Sequence, residues 1–316
     1  MSAGTVPLDA VCVGESMALV TPDPAHPLAE GGPMRLDVAG AESTVACYLA
    51  MLGARVAWAS RVGDDPLGRL VRHRVGSYGV DTALVETDPR APTGVFFKDP
   101  GLATVAGSRT TVHYYRAGSA ASRLGPGVLD DPTLAGCRLL HLTGITPALS
   151  QSCAELAERA LTVRRPVGGP TVSFDVNYRP GLWAPGTAAP LLAALANRAD
   201  IAFVGLDEAA LLWGTVTADD VRALLSGPGR LVIKDGPVAA TSFGPEGVTM
   251  VPSEPVDVVE PVGAGDAFAA GYLSGCLRGL PEPDRLRLGH RVAGAALRTT
   301  SDVGELPSEL VPGGVW

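Results

Sequence analysis

Lysine is almost missing from this chain. Only Lys98 and Lys234 occur, so 23 of the 25 basic residues are arginine. So lopsided a ratio reads as genome composition, and an arginine therefore counts only inside a motif. Positive charge is also short overall: 33 acidic residues leave a formal net charge of −8. No basic stripe is present to neutralise phosphates, which excludes a nucleic-acid partner. The five cysteines (Cys12, Cys47, Cys137, Cys153 and Cys276) are scattered, with no CxxC pair and no His/Cys cluster. That spacing excludes a disulfide framework and a structural zinc site. Apolar runs stay too short to cross a bilayer. The opening "MSAGTVPLDA" lacks the basic stretch and apolar core of a signal peptide. A cytoplasmic protein with neither membrane nor nucleic-acid partner is expected.

What the chain does have is alternation. Apolar or β-branched runs stand at 10–14, 55–63, 138–144, 171–176, 201–205 and 231–236. Between them lie Ala- and Leu-rich stretches at helical spacing, among them "AESTVACYLAMLG", "LGRLVRHRVGSYG", "APLLAALANRA" and "RLRLGHRVAGAALRTT". Ser152 with Glu155 reads as a capping box opening the helix "CAELAERALTVRR". Strands alternating with helices predict an α/β fold, its mostly parallel sheet covered on both faces. One region breaks the rhythm: "TGVFFK" (93–98) and "TTVHYYR" (110–116) are aromatic and β-prone, with no helix between them. They predict a small antiparallel flap. Gly- and Pro-rich pieces at 22–33, 99–109 and 165–170 read as loops.

The chemistry concentrates in "VEPVGAGDAFAAGYLSGCL" (259–277). A glycine turn entering a helix presents free N–H groups beside the positive end of the helix dipole, a combination that binds phosphate. A P-loop is excluded, because "GDDPLGRL" (63–70) carries Arg69 and Leu70 where Lys and Ser/Thr are required. A dinucleotide fingerprint fails at Phe268, which stands where its third glycine belongs. In a third device the turn cradles a phosphoryl group while Asp266 faces the attacking hydroxyl. On the short motif alone, Asp266 reads equally well as a plain helix cap.

"GAGDAFAAGYL" resembles the signature of the ribokinase-like (PfkB-type) carbohydrate kinases. "AGAESTVACYLAMLGARVAWASRVGDDPLG" (39–68) is similar to that family's first signature, with Gly40, Gly53, Gly63, Asp65 and Gly68 in place. The resemblance covers nearly the whole chain. It implies one ribokinase-like domain over 1–316: three α/β/α layers, a mostly parallel central sheet and a small antiparallel β lid from about 11–40 and 93–116. "VHYYRAGSAASRL" (112–124) and "FDVNYRPGLW" (174–183) are similar to segments of 2-keto-3-deoxygluconate kinases. The implied activity is ATP-dependent phosphorylation of that sugar acid. A neutral-sugar kinase acting on fructose or ribose, and a non-catalytic sugar-binding homologue, are the alternatives.

By this resemblance Gly40, Ala41, Glu42, Thr44, Phe96, Tyr115 and Arg116 would line the sugar site. Arg179 would meet the sugar-acid carboxylate or the phosphates. A planar guanidinium suits either through paired hydrogen bonds, although both arginines also read as plain surface residues. Asn177, Lys234 and Gly236 would line the phosphate path, with Lys234 equally readable as a strand-end lysine. The adenine would lie against 290–298. Gly263, Ala264, Gly265 and Asp266 would form the anion hole, with Asp266 as an ionised, weak general base. ATP and Mg2+ are the implied cofactors, with a monovalent cation as an open addition. The apolar and aromatic surface of the flap segments "TGVFFK" and "TTVHYYR" predicts a homodimer or higher assembly formed through the lid. Departures are visible too. Ala39 and Thr44 replace the first Gly and the Asn of GGxxxN; Gly205 replaces the Asn of NxxE, leaving Glu208; Glu260-Pro261 replaces Asp-Thr. Magnesium would then be held by Glu208 through water and by the nucleotide phosphates.

Overall fold

Alternating patterns of the kind just described build a single large sheet with helices on both sides. The computed structural model describes residues 7–23, 25–99, 111–162 and 169–311. The loops expected at 99–109 and 165–170 lie mostly outside these. In chain order the first half comprises β1 (Ala10–Val13), β2 (Met17–Pro22), β3 (Met34–Ala39), α1 (Ala41–Met51), β4 (Val56–Gly63), α2 (Pro66–Ser77), β5 (Val85–Asp88), β6 (Val95–Asp99) and β7 (Thr111–Tyr115). Then follow α3 (Pro132–Ala135), β8 (Leu139–Thr143), α4 (Ile145–Leu149), α5 (Gln151–Thr162), β9 (Thr171–Asp175), α6 (Pro185–Ala196), β10 (Ile201–Gly205), α7 (Leu206–Trp213) and α8 (Ala218–Leu224). The last elements are β11 (Arg230–Asp235), β12 (Ala239–Gly244), β13 (Gly247–Pro252), α9 (Ala264–Leu277) and α10 (Glu282–Leu297).

The main sheet runs β13-β12-β11-β10-β9-β8-β1-β4-β5. From β11 to β5 every pairing is parallel. The hairpin β12–β13 adds two antiparallel strands at one edge. Its residues 239–252 had given no alternating pattern of their own, since the buried positions of β12 are mostly small. The central strands are buried on both faces, which is why they read as unbroken apolar runs. One face is covered by α1, α2, α9 and α10, the other by α5 to α8. Helix α9 is apolar nearly all round and made of small residues, so it packs among α1, α10 and the sheet at once.

The helix cap expected at Ser152 is corrected. Ser150 Oγ accepts the Cys153 N–H at 3.1 Å, while Ser152 Oγ donates to the Leu124 carbonyl at 2.7 Å. Both serines precede the apolar run, and only the chain direction set by α4 decides which one caps. No disulfide forms among the described residues: all five cysteines are free.

The lid is a second sheet of order β3-β2-β6-β7. Its β2–β3 and β6–β7 pairings are antiparallel, and β2–β6 between them is parallel. Alternation separates its two faces. Met17, Leu19, Ala39, Phe96 and Val112 cluster on the inner face. Leu36 and Tyr115 stand exposed on the outer one. Asp65 ties the start of α2 to the chain that enters β6: it caps α2 through the Gly68 N–H at 2.7 Å and also accepts the Thr93 N–H at 2.8 Å. Among the described residues no helix is long and apolar enough to cross a membrane.

Candidate active site

A cavity of about 1020 Å³ lies between the inner face of the lid and the C-terminal ends of the central strands, where open parallel sheets place their ligand sites. It is long enough to divide into two parts. The lid end is lined by Glu15, Met17, Gly40, Ala41, Phe96, Val112, Tyr114 and Arg116. The other end is lined by Ala240, Ser253, Val256, Phe268, His290, Ala293 and Gly294. Between them stand Asn177, Arg179, Glu208, Lys234, Gly236 and the turn Gly263–Asp266.

The turn is built for close approach. Gly263 has φ +88°, a left-handed conformation that disfavours a side chain, and it is the N-cap of α9. A Cβ on Gly265 would come within 3.3 Å of Lys234 Nζ, so a side chain there would fill the space beside the ammonium. Ala264 N–H makes a long contact to the Pro261 carbonyl at 3.4 Å. The first-turn N–H groups of α9 have no carbonyl within the helix to receive them. Gly40 is required for a different reason: a Cβ there would run into the Glu15 carbonyl.

Charges in the middle of the cavity are linked. Asn177 donates from Nδ2 to Asp266 Oδ1 at 2.8 Å. Lys234 Nζ donates to Asp175 Oδ2 at 2.6 Å, and Arg179 Nη1 to Glu208 Oε1 at 3.2 Å. Asn177 is the one non-glycine with positive φ among the described residues, at 39°, a region asparagine tolerates. The expectation that Asp266 stays ionised as a weak base is corrected. Burial, reinforced by Asp175, pushes its carboxyl up to about 7, against the pull of Arg179 and Lys234. Burial works against the charge of Lys234, but Asp175 and Glu208 outweigh it and hold the ammonium above its ordinary value. Burial likewise raises Glu208.

Most of the expected site residues come together here, but three do not. Tyr115 points to the outer face of the lid and is 68% exposed, whereas Tyr114 lines the cavity and stacks on Phe96 with ring centroids 5.6 Å apart. Adjacent strand residues face opposite ways, and which of the two turns inward follows from the pairing of Phe96 with Tyr114. Glu42 is fully buried beneath the cavity and accepts from Thr143 and Thr146. Thr44 is buried in α1, away from the cavity. Arg116 does line it, but its guanidinium is already committed: Nε donates to Glu15 Oε2 at 2.7 Å, and Nη2 pairs with the same carboxylate. Glu15, Asp175 and Asp302 were missed: Glu15 follows β1 and Asp302 follows α10 as single acids without a motif, and Asp175, at the end of β9, lies in a quoted segment in which only Asn177 and Arg179 were singled out.

The donor set fits a polyphosphate and a water-held metal. Lys234, Arg179 and the α9 turn supply positive potential. Asp175 Oδ1 and Asn177 Oδ1 are buried acceptors without a hydrogen-bond partner, suited to metal-bound water. Among the described residues no group of three or more metal-ligating side chains converges. Both Glu208 oxygens already accept bonds, from Arg179 Nη1 and the Gly205 N–H. Glu208 is thus left with single lone-pair sites, enough for water.

A two-part cavity with a glycine turn at a helix N-terminus and the buried Asp266 carboxyl between its parts is an arrangement that can serve transfer of a phosphoryl group to a small-molecule hydroxyl. The profile of the pfkB family carbohydrate kinases matches residues 8–309, and the chain belongs to that family. It is 35% identical over 306 residues to the 2-dehydro-3-deoxygluconokinase of Bacillus subtilis (strain 168), covering 95% of this chain and 93% of that one. It is 33% identical over 322 residues to the 2-dehydro-3-deoxygluconokinase of Thermoproteus tenax, covering 97% and 95%. The crystal structure of a PfkB protein from Polaromonas sp. JS666 superposes with TM-score 0.83 at 35% identity, covering 93% of this chain and 98% of that one. The fold is ribokinase-like, and the protein is a carbohydrate kinase.

Proposed function

We propose that the protein transfers the γ-phosphoryl group of ATP to 2-keto-3-deoxygluconate (2-dehydro-3-deoxygluconate), forming its 6-phosphate. The observation that carries this reading is the position of Arg179. It stands at the junction of the two half-cavities, facing Asp266 and Glu208, with its side chain 39% exposed. There it can receive an acceptor carboxylate or a phosphate through paired N–H donors. The names of the two relatives agree with a sugar acid.

In this reading the lid end holds the acceptor, with Tyr114 and Phe96 against its carbon face and the backbone of Gly40, packed on Glu15, beside it. Arg116, neutralised by Glu15, presents its remaining N–H edge as an orienting donor more than as a free charge. Asp266 accepts the proton of the attacking hydroxyl. Its elevated pKa brings it close to the pH at which a general base works best. Asn177 orients it through the Nδ2 bond to Oδ1. The first-turn N–H groups of α9 and Lys234 stabilise the negative charge on the transferring group, which in a loose transition state is most of the catalytic task. Asp175 and Asn177 would hold magnesium-bound water, and the ion would neutralise phosphate charge. The far end, with Ala293 and Gly294 opposite Val256, would take the adenine.

The reading is tested with Arg179→Ala. Loss of one side of a charged, hydrogen-bonded pair costs about 1.5–3 kcal/mol, so KM for the sugar acid should rise roughly ten- to a hundredfold. KM for any neutral sugar the enzyme accepts should scarcely move. An equal effect on acidic and neutral acceptors would assign Arg179 to the phosphates alone and favour a neutral-sugar kinase.

A further inference from the structure

The lid carries a second polar contact that the proposed chemistry does not use. Its inner face is apolar toward the acceptor, but farther along it becomes charged. Lys98, on β6, is only 2% exposed, and its Nζ donates to Asp302 Oδ1 at 3.1 Å. Asp37, on β3 at the edge of the same sheet beyond β2, accepts from Ser301 Oγ at 2.7 Å, and Arg35 Nη2 donates to Thr300 Oγ1. Three residues of the lid thus grip three consecutive residues of the segment after α10. That segment in turn rests on the anion turn: a Cβ on Gly263 would meet the Asp302 carbonyl at 3.1 Å and its Cα at 3.2 Å. Asp302 also lines the cavity.

One of the chain's two lysines is therefore spent inside the protein, far from water. A buried ammonium is costly without a partner. Here it meets Asp302, with Glu260 and Asp37 close enough to disfavour the Asp302 charge. Lys98 is the cation paired with Asp302, while the lid carboxylate Asp37 has Arg74 Nε 3.5 Å away. Any displacement of β6 moves Nζ, and through Asp302 it moves the backbone on which Gly263 rests.

We propose that Lys98 is a positioning residue that couples the lid to the anion turn, so that closure of the lid over the acceptor sets the N–H groups that stabilise the transferring phosphoryl group. The inference rests on the assignment of Gly263–Asp266 as that anion turn. Lys98 touches no substrate in this scheme. It acts through Asp302.

Two readouts test it. The first is amide hydrogen exchange in the full-length protein without ligands, for Lys98→Met against wild type. Exchange at 262–266 and 299–304 should quicken by about tenfold while β8 to β11 keep their protection. The second is turnover of whichever acceptor in a sugar and sugar-acid panel wild type phosphorylates. In Lys98→Met kcat should fall by about tenfold or more, with KM for ATP moving less than about threefold, whereas a plainly destabilised lid would raise KM for the acceptor at unchanged kcat. Lys98→Arg, which keeps the charge, should retain most of kcat. Should Lys98→Met fail to fold, the double variant Lys98→Met/Asp302→Asn leaves no unpaired charge behind, and it should show the same local exchange and kcat loss. Unchanged exchange at 262–266, or unchanged kcat, overturns the coupling. A wild type that phosphorylates no acceptor overturns the proposed function instead, and the exchange measurement still decides on the coupling.

Discussion

Replacing Asp266 by Asn separates two properties that its surroundings impose together. The carboxyl is buried, and its pKa rises from 3.8 to about 7 in the folded protein. A carboxyl whose pKa is raised on folding destabilises the fold once the unfolded chain ionises. The cost begins at the unfolded value, grows through the interval and is complete above the folded value. At about 1.4 kcal/mol per pH unit this amounts to about 2 kcal/mol at pH 5 and about 4 kcal/mol at pH 8. An amide carries no such cost, so Asp266→Asn should be more stable than wild type, and the gain should be about 2 kcal/mol larger at pH 8 than at pH 5. Chemical denaturation at the two pH values, compared at constant m, measures it. The same substitution removes the base, so kcat should fall by roughly 10²–10⁴-fold while ATP still binds. Near-normal turnover in this variant, or a stability gain that does not grow with pH, would refute the assignment of Asp266 as a buried, functional base.

Further expectations follow from the same geometry. The kcat/KM of wild type should rise with pH through a midpoint near 7, because the free enzyme must lose the Asp266 proton; a flat profile from pH 6 to 8 would contradict it. Arg116→Ala leaves Glu15 buried without its cation, so it should lower stability by about 3–5 kcal/mol, a loss read by denaturant melts. Tyr114→Ala should raise KM for the acceptor, whereas Tyr115→Ala should leave it unchanged. The outer lid face that carries Leu36 and Tyr115 should associate with a second copy. Sedimentation at micromolar concentration should therefore show a dimer or larger species, and Leu36→Glu should dissociate it.

Much of this site is legible in the sequence, for identifiable reasons. A glycine turn before a helix is a local device, so Gly263, Gly265 and Asp266 could be read directly. Strands buried inside the sheet announce themselves as apolar runs, and six of its nine strands are parallel and central; the edge strand β5, whose two middle residues are exposed, gave no such run. What stayed hidden depends on pairing across distance. The choice between Tyr114 and Tyr115 turns on the register of β6 against β7. The commitment of Arg116 to Glu15 joins residues about a hundred positions apart, and neither sits in a pattern that names the other. Glu42 and Thr44 lie in a recognisable signature, yet α1 turns their side chains away from the cavity and into the protein. The protonation of Asp266 is hidden in the sequence for a related reason. The helix terminus favours its charge, but burial beside Asp175 is the larger effect, and burial is not a local property of the sequence.

The central claim is that this carbohydrate kinase selects an acidic sugar, and acceptor preference tests it most directly. ADP release is measured with ATP and Mg2+ against 2-keto-3-deoxygluconate, fructose and ribose, each over a full concentration range. The account predicts that kcat/KM for the sugar acid exceeds that for either neutral sugar by about ten- to a hundredfold, the worth of one charged hydrogen-bonded pair. Equal or greater kcat/KM for fructose or ribose would contradict it.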